Sequence, residues 1–278
     1  MVTTSGPAGE TQQATPRRRP RGAVRDGLVA AGLELARAGG PDAVVLREAT
    51  RMVGVVPNAA YRHFADRDEL LSAVCAAAMN ELADRMAAGV ARVPGPHGDP
   101  AAARGRLGAI GTAYLEFARE EPGLFATAFA LPQQHPYGAP GDGQGPDRTP
   151  LGQLRTALDE LVDAGVLARP RRDGLEYPIW STVHGMAVLA GQGPLRDVPD
   201  GRTEPDRSPL NQLRTRLDEL VDAGVLDPRR REGIEYPIWS AVHGLAVLTG
   251  QGPLRDVPAA ARHHLGELTL AFINEALV

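Results

Sequence analysis

Lysine is absent: all 30 basic residues of this 278-residue chain are arginine. Together with 32 glycines and 24 prolines, this reads as the imprint of a GC-rich genome rather than of a function. There is one cysteine, Cys75, which excludes an internal disulfide and leaves no thiolate cluster for a metal. No apolar run reaches the ~18 residues that cross a bilayer. The arginines near the N-terminus have no apolar stretch behind them, so no signal peptide is expected. A cytoplasmic protein without a membrane partner is the expectation. Phosphate-cradling loops, dinucleotide fingerprints, zinc-ligand spacings and a Gly-x-Ser-x-Gly elbow are also missing. His135, His263 and His264 have no evident partners, so neither an enzyme nor a cofactor is expected.

What is present is a soluble globular composition, 43% hydrophobic and 23% charged, with charge unevenly placed. Residues 17–67 hold ten Arg against five Asp or Glu, whereas the whole chain carries −4. A basic end on an acidic body points to a local polyanion site.

Residues 1–20 form a polar arm, basic at Arg17, Arg18 and Arg19, and are expected to be disordered. Beyond Arg21 the apolar residues recur at helical spacing. Val24, Leu28, Ala31 and Leu35 mark a first helix that Gly39, Gly40 and Pro41 stop. A second fits 45–53, Gly54 breaks it, and a third starts at Pro57 and runs to about Phe64. Asp66 and Glu69 form a capping box for a long fourth helix reaching about Arg92. Helices at 101–120, 122–131 and 259–277 follow, with a Pro- and Gly-crowded segment at 132–150 expected to be mobile. No stretch alternates as a strand does, and the fold class is all-α.

Residues 146–199 recur as 205–258, with 43 of 54 positions identical. Each copy reads as a helix (LDELVDAGVL), an Arg/Pro loop and a second helix from EYPIW to GQG. Two copies are too few for a solenoid, and such similarity suggests tandem duplication within an existing fold. Either copy could occupy the core with the other displaced to the surface.

Residues 45–64 have the parts of a helix-turn-helix: a bracing helix, a turn at Gly54, and a second helix whose start can reach base edges. Val53, Val55, Ala60 and Phe64 would fix the angle between the helices. Asn58, Ala59, Tyr61, Arg62 and His63 would project, while Arg47, Arg51 and Arg67 are placed to neutralise phosphates. The run from Arg21 to about Cys75, above all AYRHFADRDELL, resembles the DNA-binding domain of the tetracycline-repressor (TetR) family. That resemblance implies a Tyr and a His on DNA, here Tyr61 and His63, and Arg67 where the family often has a phosphate-binding Lys. Val45 and Val56 stand where the family commonly has Ser or Thr caps, and Thr50 replaces a small Ala.

Residues 76–278 are expected to form a ligand-binding and dimerisation domain. The Trp-x-x-x-His-Gly pattern of a subset of the family occurs twice, as Trp180, His184, Gly185 and as Trp239, His243, Gly244. These residues, with Phe125 and Phe129, either pack the core or line an effector cavity. The resemblance further implies a homodimer joined through about 234–250 and 259–277, bound to a palindromic double-stranded DNA operator. A small-molecule effector would release it by pushing the long helix 67–92 and moving the recognition helices apart. The rival reading is a TetR-like protein with weakened DNA binding that acts through a protein partner.

Overall fold

The computed structural model describes residues 22–131, 147–191 and 209–277. Within them the chain is helical, with no strand among the described residues. The basic arm, His135, residues 146 and 192–199 of the first copy and residues 205–208 of the second lie outside those residues.

The helix-turn-helix region opens with α1 (Ala23–Gly39). A 3-10 turn at Pro41–Ala43 leads into α2 (Leu46–Val53), and α3 (Pro57–Ala60) follows. Gly54 takes the left-handed conformation (φ 72°), and its N–H and that of Val55 both bond to the Thr50 carbonyl. Only glycine adopts that geometry at little steric cost, so the turn sits where the sequence places it. The third helix is shorter than expected: regular structure ends at Ala60 instead of about Phe64. Residues 61–63 tighten into turns as His63 and Phe64 both donate to the Ala60 carbonyl. This brings the Phe64 ring fully into the core, with the Arg25 guanidinium 5.0 Å from its centroid.

The long helix α4 (Arg67–Ala91) starts at the expected cap, where Asp66 accepts from the Glu69 N–H at 2.8 Å. The reciprocal bond goes from the Ala65 N–H to the Glu69 carboxylate at 2.6 Å, one residue earlier than in the usual box. α5 (Pro100–Glu120) lies along α4, and α6 (Pro122–Ala128) turns back onto α1. Glycines set the approaches of α4 and α6 to α1. Gly32 leaves room for Val74, and a Cβ on Gly123 would meet the Ala36 carbonyl oxygen at 2.2 Å. One core runs from Leu28 through Leu70, Leu82, Phe117 and Leu124 to Leu158 and Trp180, so α4 joins the two halves through continuous packing.

The first repeat copy supplies α7 (Pro150–Asp163) and α8 (Glu176–Gly191), and the second supplies α9 (Pro209–Asp222) and α10 (Glu235–Gly250). The last helix, α11 (Ala259–Leu277), packs on α8 and α10. Along it Leu265 and Ile273 are buried, whereas Leu270 is 59% exposed.

The two copies are built alike. In the first, Glu176 is clamped by Arg155 Nε at 3.0 Å and Arg172 Nη1 at 2.9 Å, and Arg172 also holds Asp159 at 2.7 Å. In the second, Glu235 is clamped by Arg214 and Arg231, each at 2.9 Å, and Arg231 holds Asp218 at 2.7 Å. Burial pushes both glutamates up, but their own backbone amides at the helix N-terminus and the paired guanidiniums outweigh it. Both carboxyls are held below their ordinary range.

Candidate functional site

Two regions collect the residues singled out above. On the helix-turn-helix, Asn58, Tyr61 and Arg62 are exposed, Tyr61 by 57%, and Ala59 and His63 are half-buried. Arg47 and Arg51 on α2 are exposed on the same motif, and Arg51 Nε donates to Glu48 at 2.9 Å. Arg67 is engaged differently. Its guanidinium donates to the carbonyls of Val44 at 2.9 Å and Pro41 at 2.7 Å, tying the start of α4 to the 3-10 turn ahead of α2. Neither Val45 nor Val56 gives its helix a side-chain cap, an omission that costs about 1 kcal/mol per helix. Both are exposed, Val56 by 68%. The buried Thr50 hydroxyl is satisfied by the Arg47 carbonyl at 2.7 Å.

The second region is a cavity of about 440 Å³ between α6, the C-terminal half of α8, the end of α10 and Pro41 of the 3-10 turn. Phe125, Phe129 and His184 form its aromatic wall, with Ala187, Val188 and Val247 beside them. The Phe125 and Phe129 rings lie 5.1 Å apart, and His184 is 4.8 Å from Phe129, edge to face. Behind this wall the Trp180 indole N–H donates to the Tyr114 hydroxyl at 3.4 Å, and that hydroxyl is 2.9 Å from His184 Nδ1. Burial, then the nearby His243, push His184 down to about 4, so its imidazole is neutral at neutral pH. Cys75 is buried and its thiol is pushed up to about 11, which leaves it inert.

The structure therefore brings Phe125, Phe129 and His184 together at this cavity. Trp180 borders a separate, smaller space of about 100 Å³ between α5, α7 and α8. Trp239 and His243 line neither. Sequence reading missed Tyr114, Pro41, Val247 of α10 and Gln251 just beyond its end. Tyr114 carried a usable signal, a hydroxyl at a core position of α5 that had to find a partner. Pro41 and Val247 carried none, because only tertiary packing brings them to α6. Among the described residues no helix is long and apolar enough to cross a membrane.

No curated protein and no solved structure matches the chain. Residues 107–204 match the family model described as "Tetracyclin repressor-like, C-terminal domain". The match takes in the aromatic wall and the whole first copy, and stops one residue short of the second. Residues 107–204 are thus similar to the C-terminal domain of tetracycline-repressor-like proteins, and the helix-turn-helix formed by α2 and α3 precedes them.

Proposed function

We propose that the protein is a repressor that binds a palindromic operator as a homodimer and releases it when a small apolar molecule fills the 440 Å³ cavity. The observation that carries this reading is the position of α6. One of its sides presents Phe125 and Phe129 to the cavity, while its N-terminal turn abuts the Ala36 carbonyl of α1 through Gly123. A ligand that displaces α6 must displace α1, because the backbone contact has no slack. The coupling route is then α6 and the Pro41 turn, with α4 following. The ligand works only if it binds the two arrangements with different affinity.

The cavity's chemistry favours an aromatic or aliphatic molecule with one hydrogen-bonding group for the neutral His184. On DNA, Asn58, Tyr61 and Arg62 read or touch the groove, and Arg47 and His63 contact the backbone. Two-fold docking would use the outer sides of α10 and α11, where Val242 and Leu270 are 50% and 59% exposed. Gel shift with the DNA upstream of the protein's own gene tests the reading. Retardation should weaken steeply with salt, and Tyr61→Ala should reduce affinity at least about tenfold. Absent or salt-insensitive retardation would sink it in favour of action through a protein partner.

A further inference from the structure

The two copies meet each other through α8 and α10, and the contact is reciprocal. A Cβ on Gly185 would lie 1.9 Å from the Ser240 carbonyl oxygen and 2.8 Å from the Gly244 nitrogen. A Cβ on Gly244 would lie 1.8 Å from the Ser181 carbonyl oxygen and 2.8 Å from the Gly185 nitrogen. Positions 181 and 240 are equivalent in the repeat, as are 185 and 244. Residue i of one copy touches j of the other while j touches i, which is the signature of an isologous two-fold interface.

One detail of this pair is out of balance. Ser240 Oγ lies 3.9 Å from the Met186 sulfur. Exchange of the copies would put Ser181 Oγ against position 245, which is leucine where copy one has methionine. Ser181 is 1% exposed, and its hydroxyl is the buried side-chain polar atom without a partner among the described residues. Two first copies facing each other would give both serines a methionine sulfur. The other side of the helix differs as well. In copy one Trp180, His184 and Ala187 are buried on the α5–α6 bundle, whereas in copy two Trp239 and His243 are half-buried and Ala246 is exposed. Copy two thus sits on the Gly185 face as a partner's helix would, without a bundle of its own.

We infer that the α8–α10 pair is a homodimer interface brought within one chain, in which the second copy occupies the face of α8 that would otherwise bind α8 of a second molecule. The occupant that fits this face is therefore another first copy of this same chain. Val242, on the side of α10 opposite Ser240 and Gly244, remains free for other contacts.

Two variants uncover the face by different means. Deletion of residues 200–258 joins Pro199 to Ala259 and keeps the Pro–Ala junction that precedes α11. Gly244→Leu in the full chain forces α10 off the Ser181 carbonyl and leaves copy one untouched. Sedimentation equilibrium should show the deletion variant as a dimer, although it lacks the α10 surface used for two-fold docking above, and should show Gly244→Leu gaining chains over the unmodified protein. Adding Gly185→Leu to either should abolish the new contact, with helix content retained by circular dichroism. The inference is overturned if the folded deletion variant is a monomer, if folded Gly244→Leu gains no chains, or if either assembly survives Gly185→Leu. Unfolding of both variants overturns it too, because an interface taken over from a partner can be uncovered without losing the domain beneath it.

Discussion

Copy one and copy two carry the same glutamate clamp, the same Trp–His–Gly pattern and a 3-10 turn at equivalent positions between their helices, yet they end in different surroundings. Copy one lies on the bundle, with Leu151, Leu154, Ala157, Leu158 and Leu161 of α7 buried. In copy two only Leu210 and Leu217 of α9 are buried, and Leu217 belongs to a small separate cluster that Ile273 of α11 completes. Eleven differences in 54 positions decide this, and one of them suffices physically. Ala157 is 5% exposed and its counterpart is Arg216, whose side chain is 76% exposed. Seating copy two on the bundle would bury an arginine. The lesson is that one charge at a core-facing position is enough to assign places to two otherwise interchangeable units.

The sharpest way to break the comparison is to exchange that residue. Ala157→Arg should destabilise the chain by at least about 3 kcal/mol in urea unfolding, the usual cost of an unpaired charge in a core. Arg216→Ala should leave the midpoint where it is. A mild effect of Ala157→Arg would mean that a charge at this position does not assign the seat.

Next in size is a pH effect that belongs to copy one. His184 is held at about 4 against an ordinary 6.5, so in this interval the unfolded chain binds a proton that the folded one refuses. The associated stability is fully present above 6.5 and is lost as pH falls towards 4. It amounts to about 3 kcal/mol in all. Unfolding titrations should show this slope, and His184→Asn should remove it. A slope unchanged in that variant would assign it to other groups.

The smallest effect is spectroscopic. The chain has two tryptophans, one per copy. With Trp239→Phe, emission from Trp180, 6% exposed, should be blue-shifted and resist acrylamide. With Trp180→Phe, emission from the half-buried Trp239 should be redder and readily quenched. Equal quenching in the two variants would show the copies exchanging places.

Much of this was legible beforehand where local rules govern. Gly54, the Asp66 cap, Pro57 and the 3.6-residue spacing placed α1, α2, α4 and α5 within a residue or two, because capping and periodicity are short-range. The length of α3 was misjudged, since the burial of Phe64, a tertiary event, ends the helix at Ala60. At the cavity, Phe125, Phe129 and His184 were marked but not joined, and Trp239 was marked beside Trp180 because identical motifs look alike in sequence. Ala157 against Arg216 was visible as a difference, but its weight depends on knowing which side of α7 meets α4 and α5.

The sequence alone thus determined the all-helical class, the helix-turn-helix at 45–64 and the existence of two equivalent helix pairs. Each rests on periodicity, turn chemistry or identity along the chain. Only the tertiary structure decided which copy enters the core, that α6 connects the cavity to α1, and that α8 and α10 face each other through Gly185 and Gly244. Those outcomes depend on where backbones approach within a few ångströms, and such distances are set by packing of the whole chain rather than by any local run of residues.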